Sequence, residues 1–249
     1  CEGRCGARGA PPGRPIRQTN AKFMARCSVR TAGETSRGWF SGWRIRVVPR
    51  PWYKVAMSEP IHVRLAVDGA VAILTLDRPE ARNAYSEAMC EQLVAALDRV
   101  DRDDAVRCAI LTGAGSAFHA GGDTKAMKER SGMFAGDPAE LRQRYVAGIQ
   151  AVPRRIAEFA KPLLAAINGP AIGAGLDLAC MCDLRIAAAG SKLGSTFVRV
   201  GLVPGDGGAY FLQRTVGFAR ALELMMTGRI LDAAEALAIG LVHEVVPDE

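Results

Sequence analysis

Asn168-Gly169-Pro170-Ala171-Ile172-Gly173-Ala174-Gly175-Leu176-Asp177-Leu178-Ala179 is the stretch that decides how this chain of 249 residues is read. It follows an apolar run, Leu163-Leu164-Ala165-Ala166-Ile167, that reads as a buried strand. Small residues then form a turn that opens a helix, so a ligand can approach the backbone closely. The first N–H groups of a helix have no partners within it and carry a partial positive charge. A negatively charged oxygen fits there. Asp177 follows Ala174 by three residues and shares its helical face. One helical turn therefore offers an oxyanion donor and a base together.

A second segment upstream has the same form. Cys108-Ala109-Ile110-Leu111-Thr112 reads as a buried strand, and Gly113 to Met127, including Phe118-His119-Ala120-Gly121-Gly122-Asp123, reads as a loop turning into a helix. Three further stretches accompany the pair. They are Leu76-Asp77-Arg78-Pro79-Glu80-Ala81-Arg82-Asn83-Ala84, Gly201-Leu202-Val203-Pro204-Gly205-Asp206-Gly207-Gly208, and Met225-Met226-Thr227-Gly228-Arg229-Ile230 leading to Gly240-Leu241-Val242-His243-Glu244-Val245-Val246. In these five blocks, and in their order, the chain resembles the crotonase (enoyl-CoA hydratase/isomerase) superfamily from about Ile61 onward. The superfamily hosts many reactions, so the resemblance does not name one.

Charge divides the chain. Residues 1–57 hold ten Arg and two Lys against Glu2 and Glu34, and all three Trp lie there as well. The net +6 of the whole chain is thus +10 in this segment and −4 in residues 58–249. The segment shows no sustained helical or alternating period and is rich in Arg, Gly and Pro, a composition that favours disorder. It fits an organellar transit peptide, a nucleic-acid-binding arm, or upstream sequence assigned to the protein in error. The last is preferred, because Met57-Ser58-Glu59-Pro60 stands where the family-like part begins. The domain reading is a basic extension over 1–57 and a crotonase-like domain over 58–249. A cytoplasmic location is expected, or a mitochondrial one if the extension is a transit peptide.

The elements alternate in an α/β pattern. Strands are predicted over Ile61–Val67 and Val71–Leu76, joined at Asp68-Gly69, then over Arg107–Thr112, Leu163–Ile167 and Leu184–Ala188. Helices are predicted over Ser86–Val100, Pro138–Phe159 with a kink or break at Pro153, Ala174–Cys182, Gly207–Val216, Ala219–Met226 and Asp232–Ala238. The resemblance sharpens this to a spiral of β-β-α turns. It also implies further helices beyond the Gly240–Val246 block, which cover the acyl pocket and make trimer or dimer-of-trimers contacts. By that comparison the C-terminal helical region is truncated here.

The seven cysteines have no metal-site spacing and read as small buried residues in a reducing compartment. No apolar run of about 20 residues is present, so no membrane partner is expected. The acidic character of the Ser86–Asp104 helix argues against a nucleic-acid partner. The resemblance implies an acyl-CoA thioester as substrate and no separate cofactor, coenzyme A being part of that substrate.

The resemblance also assigns roles. The backbone N–H groups of Gly122 and Ala174 become the oxyanion donors, each worth roughly 3–4 kcal/mol by mutational precedent. Family hydratases place two glutamates around a water. Here Asp177 stands at the first position and Phe197, which moves no proton, at the second. Two-carboxylate hydration is therefore disfavoured against a proton shift between carbons with Asp177 as base. Asp206 is a candidate partner, its plainer reading being an Asx turn. The Ala81-Arg82 and Phe118-His119-Ala120 segments are expected to border the nucleotide of coenzyme A, with Arg82 and Lys125 as phosphate partners and Phe197 lining the acyl pocket. His119 is expected beside the adenine or solvent rather than in catalysis. An isomerase-type reaction is the preferred reading. The alternatives are a hydratase of the same superfamily, or a catalytically impaired or RNA-binding relative.

Overall fold

The computed structural model describes residues 60–248, and the readings made for residues 1–57 lie outside this range. Strands β1 (Val63–Asp68) and β2 (Val71–Leu76) form the expected hairpin, with Asp68 opposite Val71. Gly69 and Ala70 make the turn, and Gly69 has a φ of 57° that suits glycine. Ile61 falls outside β1.

From β2 the sheet grows by parallel strands. β3 (Cys108–Gly113), β4 (Leu163–Ile167), β6 (Leu184–Ala188) and β9 (Glu244–Val246) give the order β1-β2-β3-β4-β6-β9. A second sheet of three short strands, β5 (Ala171–Ile172), β7 (Lys192–Gly194) and β8 (Leu231–Asp232), runs alongside in the order β5-β7-β8. His119 adds a parallel bridge to Ala171 at its edge. The chain thus gives the large sheet a strand, crosses to the small sheet, and then enters a helix. β4, β5 and α5 (Ala174–Met181) make one such turn, and β6, β7 and α6 (Gly208–Val216) make the next. This is the β-β-α spiral. The short strands of the small sheet carry too few residues for a period to show in sequence.

Helix α1 (Glu87–Arg102) starts at Ser86, whose hydroxyl accepts the Met89 N–H at 3.1 Å. Its Met89, Leu93, Leu97 and Val100 are buried at the expected spacing. Each such side chain contributes about 1.5–3 kcal/mol by leaving water. The long predicted helix over 138–159 is two helices, α3 (Pro138–Ala147) and α4 (Ala151–Ala157). The break falls at Gly148, and Pro153 sits inside the first turn of α4, where a missing N–H costs nothing. Arg155 ties α4 to α1 through Asp98 and through Asp101 at 2.7 Å.

Helix α5 is buried at all eight positions, including Asp177. It lies at the centre of the core and enters it through Gly173, at a φ of 57°. Helices α7 (Phe218–Thr227) and α8 (Ala233–Ala238) complete the C-terminal part, α8 opening on a reciprocal Asp232–Glu235 cap. No described helix is long and apolar enough to cross a membrane.

Candidate active site

The two small-residue segments meet at the start of α5. The Ile172 N–H donates to the His119 carbonyl at 3.0 Å, and the His119 N–H to the Pro170 carbonyl at 3.1 Å. A methyl group on Gly121 would stand 3.2 Å from the Ala174 nitrogen, so the Gly121-Gly122 and Gly173-Ala174 backbones run side by side. Among the described residues, neither the Gly122 nor the Ala174 N–H has a hydrogen-bond partner. Ala174 is the first residue of α5, where such an orphan donor is inherent. Gly122 is an orphan because its neighbours, not itself, make the bridge to Tyr85.

Three residues along α5 from Ala174, Asp177 is fully enclosed. Its Oδ2 accepts the Gly208 N–H at 3.1 Å, and its Oδ1 has no partner. Burial pushes its pKa up to about 8, which the Gly208 amide only partly offsets. Gly208 is the first residue of α6 and is packed so closely on the carboxylate that a Cβ would overlap it. Two residues earlier, Asp206 is also buried, and burial raises its pKa to about 7. The Asx turn expected of it is not formed. Its carboxylate makes no hydrogen bond, and Oδ1 is buried without a partner. Two carboxyl groups with raised pKa values and unpartnered oxygens therefore stand one in the first turn of α5 and one just before α6.

Phe197 begins a 3-10 turn after β7 and is buried, with its ring edge 4.0 Å from where a Gly173 Cβ would stand. It borders the α5 entrance. The Ala81-Arg82 and Phe118–Ala120 segments are also joined, by the Ala120 N–H to the Arg82 carbonyl at 2.9 Å. Arg82 and Lys125, the latter in the short helix α2 (Thr124–Glu129), are exposed. The Phe118 side chain is completely buried in the core, so this residue could border a ligand only through its backbone. His119 departs from expectation. It is completely buried, bordering neither solvent nor an open adenine site.

Three residues escaped the sequence reading. Asn83, buried at a φ of 58°, donates from Nδ2 to the carbonyls of Ala114 at 2.9 Å and Ala117 at 2.8 Å. It clamps the Gly122 loop to the turn after β2. The Arg82-Asn83 pair was the available signal, since Asn tolerates left-handed backbone. Tyr85, buried with an unpartnered hydroxyl, packs edge-to-face with His119 at 4.3 Å. Gly208 holds Asp177, a long-range contact that no spacing rule predicts. Beside the Gly122 loop a cleft of about 500 Å³ opens, walled by His62, Arg78, Tyr85, Asp123, Met133 and Phe134 among others. Asp177, Asp206 and Phe197 are not in its wall.

The sequence model of enoyl-CoA hydratase/isomerase matches residues 66–249. The chain belongs to the enoyl-CoA hydratase/isomerase family. It is 41% identical over 181 residues to a probable enoyl-CoA hydratase of Rhizobium meliloti (strain 1021), covering 72% of this chain and 67% of that one. It is 39% identical over 183 residues to the 1,2-epoxyphenylacetyl-CoA isomerase of Escherichia coli (strain K12), covering 74% and 69%. The crystal structure of an enoyl-CoA hydratase from Bacillus anthracis superposes with a TM-score of 0.69 at 37% identity, over 76% of this chain and 71% of that one. The chain thus spans about two thirds of the length of the curated relatives it matches. Relatives of nearly equal identity carry hydratase and isomerase names, so membership in the family leaves the reaction open.

Proposed function

We propose that this protein binds acyl-CoA thioesters and shifts a proton between carbons of the acyl group, as an enoyl-CoA isomerase does. The observation that carries the reading is the pairing of two unpartnered N–H groups, at Gly122 and Ala174, with the enclosed carboxyl of Asp177 one helical turn away. The thioester carbonyl oxygen accepts both N–H groups. Asp177, ionised, takes a proton from the carbon next to the carbonyl. The electron pair left behind moves onto the carbonyl oxygen as an enolate, which the two donors hold. In a 3-enoyl thioester the new double bond conjugates with the old one, and the carboxyl returns its proton to the far carbon. The product is the 2-enoyl thioester. No group is consumed, and coenzyme A enters only as part of the substrate.

A base whose pKa lies near 8 suits this task, being strong enough to accept a carbon-bound proton and still ionised in part at neutral pH. Phe197 supports the isomerase reading because it removes the second carboxylate a hydratase of this family uses. Both aspartates are sealed from solvent, so a substrate reaches them only as the surrounding walls move.

Hydration is the second reading, and one observation favours it. Asp206 supplies a second buried, unpartnered carboxyl two residues before Gly208, whose N–H binds Asp177, and hydration in this family uses two carboxyl groups. One assay separates the two reactions. The absorbance of the conjugated enoyl thioester grows when a 3-enoyl-CoA is isomerised and decays when a 2-enoyl-CoA is hydrated. Growth with the first substrate is expected. Decay with the second and no change with the first would transfer the assignment to hydration.

A further inference from the structure

Gly121 is held at both ends. Its N–H donates to Nδ1 of His119 at 2.8 Å, and its carbonyl accepts the Tyr85 N–H at 2.9 Å. That carbonyl and the Gly122 N–H belong to one planar peptide, so whatever fixes the first aims the second. Gly121 has a φ of 91°, and a Cβ there would press on the Ile172 carbonyl and the Ala174 nitrogen. A glycine is the least restrained residue in the chain. Its orientation therefore depends on the groups that grip it.

The His119 ring is suited to gripping. Burial pushes its pKa down to about 3, so the imidazole is neutral across the physiological range. Nδ1 accepts, which places the ring proton on Nε2. Nε2 is buried with no partner among the described residues, an arrangement that costs stability. A fully buried ring kept with one nitrogen unmet is explained by what the other nitrogen holds.

We propose that His119 is a positioning residue: its Nδ1 holds the Gly121 N–H and so fixes the Cα from which the peptide carrying the Gly122 donor departs, while the Tyr85 N–H holds that peptide's own carbonyl. It touches no substrate atom. The inference rests on reading Gly122 and Ala174 as the oxyanion donors.

Two substitutions in the full chain test it, because they keep different nitrogens' places. In His119→Asn the side-chain Oδ1 stands where Nδ1 stood and still accepts. In His119→Gln the amide reaches the place of Nε2 and leaves the Gly121 N–H unheld. Two readouts apply. One is hydrogen exchange at the Gly121 amide in the free protein. The other is the infrared shift of the carbonyl stretch of butanoyl-CoA, labelled with carbon-13 at the thioester carbon, on binding. Asn should keep both the protection and the shift. Gln should lose both, with kcat on a 3-enoyl-CoA falling about 10- to 100-fold at nearly constant KM. Equal Gly121 protection or an equal carbonyl shift in the two variants would overturn the role of His119. Absence of any shift in the unmodified protein would instead overturn the oxyanion reading beneath it. If His119→Gln fails to fold, nitrogen NMR of the unmodified protein decides. A proton found on Nδ1 overturns the proposal, and an unprotonated Nδ1 coupled to the Gly121 N–H supports it.

Discussion

Replacing Asp177 with Asn should make the protein more stable and inactive, and the gain should depend on pH in a defined way. The carboxyl is fully enclosed and titrates near 8 when folded, against 3.8 for an unhindered aspartate. Between those values the folded chain keeps a proton that the unfolded chain releases. Stability must therefore fall as pH rises through this window. One proton of difference amounts to about 1.4 kcal/mol per pH unit, so the full window corresponds to at most ~6 kcal/mol. Asn has the same shape, still accepts the Gly208 N–H, and carries no proton to lose. Urea unfolding of both forms at pH 5, 6, 7 and 8 gives the two stability curves. The gap in favour of Asp177→Asn should widen by about 1.4 kcal/mol per unit and level off above pH 8. Asp206 titrates in both forms and largely cancels. Curves that run parallel from pH 5 to 8 would mean that Asp177 has an ordinary pKa, and the argument for a poised base would fail with it.

Other outcomes follow from the same site. Gly208→Ala places a methyl against the Asp177 carboxylate and should cost about 1–3 kcal/mol of stability and most of the activity, read by thermal unfolding and turnover; near-normal values for both would show that the contact is loose. Phe197→Leu should shift the preference among acyl chain lengths, seen as altered KM ratios across a series, with kcat changing less than about threefold. The rate should climb from pH 6 towards pH 9 as the Asp177 carboxyl, held near 8 by burial, loses its proton. A profile already flat above pH 5 would point to a base with an ordinary pKa.

Much of the fold was legible because its signals are local. β4 and β6 were bounded at Leu163–Ile167 and Leu184–Ala188, as observed, since each is a short apolar run between turn residues. Helix α1 showed its buried stripe, and the Asp68-Gly69 pair announced the hairpin. The break near Pro153 was misplaced because proline is harmless in a first turn, and Gly148 ended α3 instead. Gly122, Ala174 and Asp177 were legible as candidates because they sit within two compact motifs. His119 was misread because sequence gives a histidine no burial, and only the closed packing of Tyr85 and α5 makes it neutral. The absence of a hydrogen bond on Asp206 was equally out of reach, since an Asx turn and a bare buried carboxyl share the same local sequence.

The order of the six strands carries a consequence for how the molecule is made. Each strand after β1 pairs with one that precedes it in the chain, β3 with β2, β4 with β3, β6 with β4, and β9 with β6. A chain leaving the ribosome from its N-terminal end can therefore lay down the sheet in the order of translation, without waiting for a distant partner. At every stage the open edge belongs to the latest strand laid in this sheet, and the short strands that emerge in between, β5, β7 and β8, go to the small sheet.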